Sequence, residues 1–182
     1  MYFDKPGKEN TIATLKRACE RGKELGLTEL VVASTSGDTA FKAREIFDGF
    51  TITSVTYHCG FKEPFKSVMK AEVKRELESK GVRVVSATHA LSGVEKAVAA
   101  KHSGVYPALL IADTLRLFGQ GTKVAVEVAI MAADSGNLTG NDIVSIGGSG
   151  RGADTALILK PANQSDLFHM RIREIVCKPR DF

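Results

Sequence analysis

The sequence predicts an α/β fold: an open, mainly parallel sheet with helices on both faces and an antiparallel strand pair near the C-terminus. Three observations carry this. Short apolar or β-branched runs alternate with stretches of helical period, the pattern of βαβ units with right-handed crossovers. Thr28 to Ala33 is nearly all apolar, as for a strand covered on both faces. The runs Asn141–Ile146 and Asp154–Lys160 are joined by a loop too short for a crossover helix, so they must pair antiparallel.

Residues 1–9 read as a short lead-in. Asn10 or Thr11 can cap a helix whose apolar stripe is Ile12, Leu15, Cys19, Gly22 and Leu25, and Gly26 stops it. A second helix is expected from Asp38 to Phe47, then a strand from Thr51 to Thr56 rich in β-branched residues. Tyr57 to Pro64 is a loop. A helix is expected from Phe65 to Lys80, closed by Gly81, and a strand over Val82–Ser86. Ala87 to Leu91 is a loop, and Ser92-Gly93-Val94-Glu95 has the spacing of a capping box opening a helix that ends near Gly104. Pro107 opens a further helix to Phe118-Gly119, and a strongly apolar, buried helix follows over Thr122–Asp134, closed by Gly136. Arg171 to Cys177 alternates as a last strand, with Ile172, Glu174 and Val176 on one face and Arg173, Ile175 and Cys177 on the other. No repeat, linker or low-complexity tract divides the chain, so residues 1–182 form one domain.

The fourth strand, returning after three helices, most simply joins the far side of Thr28–Ala33. That creates a switch point, and open α/β sheets bind ligands beyond the carboxyl ends of strands at such a point. Two loops meet there. Ser34-Thr35-Ser36-Gly37-Asp38-Thr39 leads from a strand into a helix N-terminus, where unpaired N–H groups and hydroxyl donors favour a phosphate. Gly147-Gly148-Ser149-Gly150-Arg151-Gly152-Ala153 brings glycines and one arginine from the other side.

Composition narrows the classes. The apolar and charged fractions, 43% and 25%, are ordinary for a globular protein, and the +4 formal charge is spread among Glu residues rather than gathered in a nucleic-acid patch. No run approaches the length of a membrane span, and the N-terminus lacks a secretory pattern, which points to the cytoplasm. Three widely spaced cysteines fit a reducing interior and form no zinc motif. No P-loop occurs. Gly148, Gly150 and Ala153 have dinucleotide-loop spacing, but that motif needs a following helix and Thr155–Leu159 reads as a strand.

These motifs resemble a known family. The helix opening at Asn10-Thr11, the strand Val31-Val32-Ala33 and the loop Ser34–Ala40 are similar to the C-terminal α/β domain of pyruvate kinases. Val55–Phe61, Met131–Gly136, Gly150–Ala156 and Arg173–Arg180 resemble stand-alone, mainly archaeal proteins of that type, over almost the whole chain. The resemblance implies a pyruvate kinase C-terminal domain-like fold, and a hydroxyl-glycine loop that grips a phosphate. It implies a phosphate-bearing ligand, with flavin mononucleotide (FMN) favoured, and a homodimer. It does not imply pyruvate kinase activity, because the catalytic (β/α)₈ barrel alone takes about 250 residues. Asp38 departs from the kinase loop, and a carboxylate aimed at a phosphate would repel it. It is therefore expected to cap the helix or bond the loop backbone.

The expected site comprises Ser34, Thr35, Ser36, Gly37 and Thr39 for the phosphate. Gly148, Ser149, Gly150, Arg151 and Gly152 approach from the second loop, and Thr56, Tyr57, His58, Gly60 and His89 line the wall toward a ring. Tyr57 and Phe61 could stack on a ligand or simply pack, and His58 and His89 could bond a ligand or the backbone. Cys59 could be reactive or a bystander. An enzyme using the same site, whether flavin-dependent or acting on a sugar phosphate or nucleotide, is the alternative. A metal site is not expected.

Overall fold

The computed structural model describes residues 1–182. Seven strands form one sheet: β1 (Tyr2–Phe3), β2 (Glu29–Ala33), β3 (Thr51–Thr56), β4 (Val82–Ser86), β5 (Ile143–Gly147), β6 (Thr155–Lys160) and β7 (Arg171–Pro179). Six helices accompany them: α1 (Thr11–Glu24), α2 (Asp38–Ile46), α3 (Ala71–Ser79), α4 (Gly93–Lys101), α5 (Pro107–Arg116) and α6 (Gln120–Asp134). The strand order is β1-β7-β6-β5-β2-β3-β4. Strands β5, β2, β3 and β4 are parallel, while β6 is antiparallel to both β5 and β7. The returning strand β5 pairs with β2, Leu30 opposite Val144 and Val32 opposite Ile146, so the switch point lies between β2 and β5 as the sequence predicts. No helix is long and apolar enough to cross a membrane.

Successive strand residues face opposite sides. Leu30 and Val32, Val144 and Ile146, and Ile158 face Leu15, Ala18, Ala43 and Leu77 of α1, α2 and α3, with Phe47 just past the end of α2. Val31, Ile143, Leu157 and Leu159 face Ala112 of α5 and Ala125, Ala129, Ile130 and Met131 of α6. The sheet is thus covered on both faces, which is why β2 and β5 read as continuous apolar runs.

Several elements depart from expectation. Part of the lead-in is a sheet edge: β1 runs parallel to β7, and the Met1 ammonium donates to the Val176 carbonyl at 2.8 Å. In α1 the buried face is Thr11, Thr14, Leu15, Ala18, Cys19 and Gly22, whereas Ile12 and Leu25 are exposed. Small residues carry the stripe there because α1 lies close to the sheet; a Cβ on Gly22 would stand 2.9 Å from Val144. Helix α3 starts at Ala71 rather than Phe65. The segment before it folds back on itself, with the Gly60 N–H donating to the Lys66 carbonyl and Phe65 at φ 61°. Ser92 and Glu95 form no capping box; the Glu95 carboxylate accepts the Leu109 N–H at 2.8 Å and so ties α4 to α5. In β7 the strict alternation fails. A register shift against β6 lies between the Cys177 and Ile175 pairings, and Val176 and Cys177 both enter the core beside α1.

Cys177 has a measurable consequence. Burial pushes its thiol up to about 11, from an ordinary 9.0, while the nearby Thr14 hydroxyl and Ala156 backbone oppose the rise. The unfolded chain releases this proton first as pH rises, so the stability is complete below pH 9 and is lost as pH climbs through about 11. The difference between 9.0 and about 11 corresponds to about 2–3 kcal/mol. Urea unfolding at pH 8 and pH 11 should show the native chain losing that much more than Cys177→Ala; parallel losses would contradict the assignment.

Candidate functional site

A cavity of about 550 Å³ opens beyond the carboxyl ends of β2, β3 and β5. Its position follows from the chain path. Strand β2 leads out into α2 on one face, whereas β5 turns straight back into the antiparallel β6, and the edge between them stays open.

The first loop is built around the start of α2. Gly37 occupies the cap position at φ 103°, and the first intrahelical bond runs from the Phe41 N–H to the Gly37 carbonyl. The buried Ser34 Oγ accepts the Ala40 N–H at 3.2 Å. That leaves the N–H groups of Asp38 and Thr39 without an intrahelical acceptor, at the positive end of the helix dipole. Thr35, Ser36 and Thr39 line the cavity beside them. Thr56 joins β3 to this loop by donating its hydroxyl to the Thr35 carbonyl at 2.9 Å. Asp38 lines the rim but makes no hydrogen bond, so the expected capping role is not seen; the cap is Gly37. Gly37 itself does not face the cavity. A Cβ there would lie 2.5 Å from Val73 and 3.5 Å from Leu77, so the glycine serves the contact of α2 with α3 and not a ligand's approach.

The second loop is organised by Asp154, which is 1% exposed. Its Oδ2 accepts the N–H groups of Gly7 and Ser149 at 3.2 and 3.1 Å, and its Oδ1 accepts the Thr155 hydroxyl at 2.9 Å. The Thr11 Oγ1 accepts the Ala153 N–H at 3.1 Å. The loop is therefore pinned to the turn that opens α1. A Cβ on Gly148 would overlap the Gly152 carbonyl, and one on Gly152 would overlap Thr11 and sit 2.7 Å from Lys8 Cα. These glycines serve chain-to-chain packing, while Gly150 has open space around it. Gly148, Gly150, Arg151 and Gly152 line the cavity; Ser149 does not, its hydroxyl being buried without a partner.

The wall toward β3 and β4 is aromatic. Tyr57 and His89 line it. The Tyr57 and Phe61 rings lie 4.0 Å apart, so they stack on each other. His58 and Gly60 sit behind this pair, outside the cavity. The Nδ1 of His58 lies 2.8 Å from the Cys59 carbonyl, which makes it the donor, and its ring stands edge-on to Phe61 and His89. Burial pushes the His89 imidazole below its ordinary value; Glu127 opposes this, and Lys123, His58 and Lys96 add to it.

Sequence reasoning missed much of the remaining wall. Lys8, Thr11, Lys42, Lys62, Gln120 and Glu127 all line the cavity, with an apolar floor from Ala33, Val55, Val68, Val124, Val128 and Met131. Lys42 was readable, since it lies one helical turn beyond Thr39. Glu127 was readable too: with Lys123 it forms a pair four residues apart inside an otherwise apolar helix. Lys8 and Lys62 carried no such signal, because only the tertiary fold brings their loops here.

Charge distinguishes this cavity. Lys8, Lys42, Lys62 and Arg151 all line it, and none forms an ion pair within the chain. The cavity's carboxylates are Asp38 at the rim and Glu127, which is bonded to Lys123. A second depression lies at the opposite end of the sheet, around Lys160, Arg171 and Arg173. There Arg173 pairs with Asp142, and Arg171 donates to the Phe168 and Met170 carbonyls. No group of His, Cys, Asp and Glu is arranged to hold a metal ion.

Among solved structures, a pyruvate kinase from Cryptosporidium parvum is similar at 15% identity and a TM-score of 0.42. The match covers 81% of this chain and 22% of that enzyme, so the chain spans less than a quarter of the enzyme's length. The 182 residues hold the single seven-stranded sheet and no (β/α)₈ barrel. The sequence model of the pyruvate kinase α/β domain matches residues 12–159, from the first turn of α1 to the penultimate residue of β6, with both cavity loops inside the match, and the chain therefore belongs to the pyruvate kinase α/β domain family.

Proposed function

We propose that the chain binds a phosphorylated small molecule in the switch-point cavity, and that FMN is the first ligand to test. The observation that carries this is that four unpaired cations, Lys8, Lys42, Lys62 and Arg151, line the cavity into which the first turn of α2 opens. Cations held close together without counter-ions repel one another, and an anion between them removes that repulsion. The phosphate is held by the Asp38 and Thr39 N–H groups and by the hydroxyls of Ser36 and Thr39. The apolar floor and the Tyr57 wall take the rest of the molecule.

The test is titration of the chain with FMN and with riboflavin. FMN should bind and riboflavin should bind far more weakly. Replacing Ser36, an exposed residue, by Ala removes one charge-assisted bond and should weaken FMN roughly ten- to a hundredfold while leaving riboflavin unchanged. Equal binding of both, untouched by Ser36→Ala, would refute the phosphate site. Binding of another phosphate ester in place of FMN would keep the site and replace the ligand.

A further inference from the structure

We infer that Glu127 reads a ring N–H of the ligand, so that the cavity selects phosphate esters of a nitrogen heterocycle over phosphate esters of sugars. This rests on the phosphate reading above and names the other end of the same ligand.

Glu127 lines the cavity although its side chain is only 4% exposed. Its Oε1 accepts the Leu91 N–H at 3.0 Å, and its Oε2 accepts the Lys123 ammonium. A carboxylate has about four acceptor positions, so about two remain. They can be satisfied only by a donor, because an ionised carboxylate donates nothing. The same charge repels a phosphate. Helices α2 and α6 lie on opposite faces of the sheet, so Glu127 and the α2 N-terminus flank the cavity from opposite sides and orient a ligand between them.

Stability alone does not account for the pair. A buried ion pair gives little or no net stabilisation over apolar side chains of similar size, and α6 is otherwise filled with Val, Ile and Ala around these two residues. The surroundings also choose the ligand. Val124, Val128 and Met131 give Glu127 an apolar setting that suits a flat ring edge. A sugar would bring several hydroxyls against these side chains and leave them unpaired. His89 lines the cavity as well, and burial favours its neutral imidazole, which can serve an adjacent ring carbonyl or ring nitrogen.

The experiment is calorimetric titration of the full chain with FMN, uridine and inosine monophosphates, glucose 6-phosphate and fructose 1,6-bisphosphate. At least one ring ester should bind roughly tenfold or more tighter than either sugar ester. Methylating the ring N–H of the tightest ester should weaken it roughly ten- to a hundredfold. In Glu127→Gln the same methylation should cost much less, the signature of direct coupling. Glu127→Gln strands Lys123, so the doubly apolar variant K123M/E127L provides a second measure; it should fold and lose the preference for ring esters. Sugar esters binding as well as ring esters, or indifference of the native chain to N-methylation, would overturn the inference and leave the phosphate site standing. Binding of no ester at all would overturn both.

Discussion

Replacing Gly147 by Ala should destabilise the protein by about 3 kcal/mol, at the upper end of what overpacking does. A Cβ at this position would overlap the Gly121 carbonyl oxygen and stand 2.7 Å from the Ala125 backbone nitrogen. Both are main-chain atoms of α6, so no side chain can swing aside. The helix cannot retreat easily either. Ser145 donates its hydroxyl to the Ala125 carbonyl at 2.7 Å, and Ala125, Ala129 and Ile130 are fully buried against the sheet. Gly121 is itself pressed against Thr155 and Asp154, so a shift of α6 would carry into the Asp154 bonds that shape the second cavity loop. For a chain of this size the melting temperature should fall by roughly 6–12 °C. Gly150→Ala is the control, because its Cβ meets nothing within 4 Å and only its φ of 142° is strained. It should lose about 1 kcal/mol. Equal melting temperatures for native protein and Gly147→Ala would mean that α6 does not pack on β5 as described.

The second large effect falls on binding and spares the fold. Lys42 and Arg151 are exposed, line the cavity and make no ion pair. The double change Lys42→Ala with Arg151→Ala should leave the unfolding midpoint unchanged, as surface substitutions generally do. It should weaken the phosphorylated ligand roughly a hundredfold or more, since two charge-assisted contacts are removed. The unphosphorylated parent compound should not notice. The native affinity should also fall with added salt, and less steeply in the double variant, because two of the charges being screened are gone. Full retention of affinity in the double variant would place the phosphate elsewhere.

The architecture was legible for reasons that can be named. Strands buried on both faces read as apolar runs, and the short link between β5 and β6 excluded a crossover. The switch point followed once three helices separated β4 from β5. What escaped was set by tertiary contact. The edge strand β1 is two residues long and exists because β7 offers it an edge. The apolar residues Ile12 and Leu25 fit a helical stripe, but the close approach of α1 to the sheet selects Ala18 and Gly22 instead. At the site, hydroxyls and glycines in the two loops were visible as types, but their tasks were not. Gly37, Gly148 and Gly152 are required by neighbouring chain, and Ser34 spends its oxygen on Ala40. Cations arriving from the turn before α1 and from the loop after β3 could be found only in three dimensions.

A crystal structure of the chain with FMN, or with whichever phosphate ester titrates tightest, tests the central claim most directly. The phosphate oxygens should lie at hydrogen-bond distance, about 2.7–3.2 Å, from the N–H groups of Asp38 and Thr39. Lys42 or Arg151 should be turned onto them, and the rest of the ligand should lie across the edge between β2 and β5. A ligand whose phosphate points into solvent, or sits at the Lys160–Arg173 end of the sheet, would contradict the account.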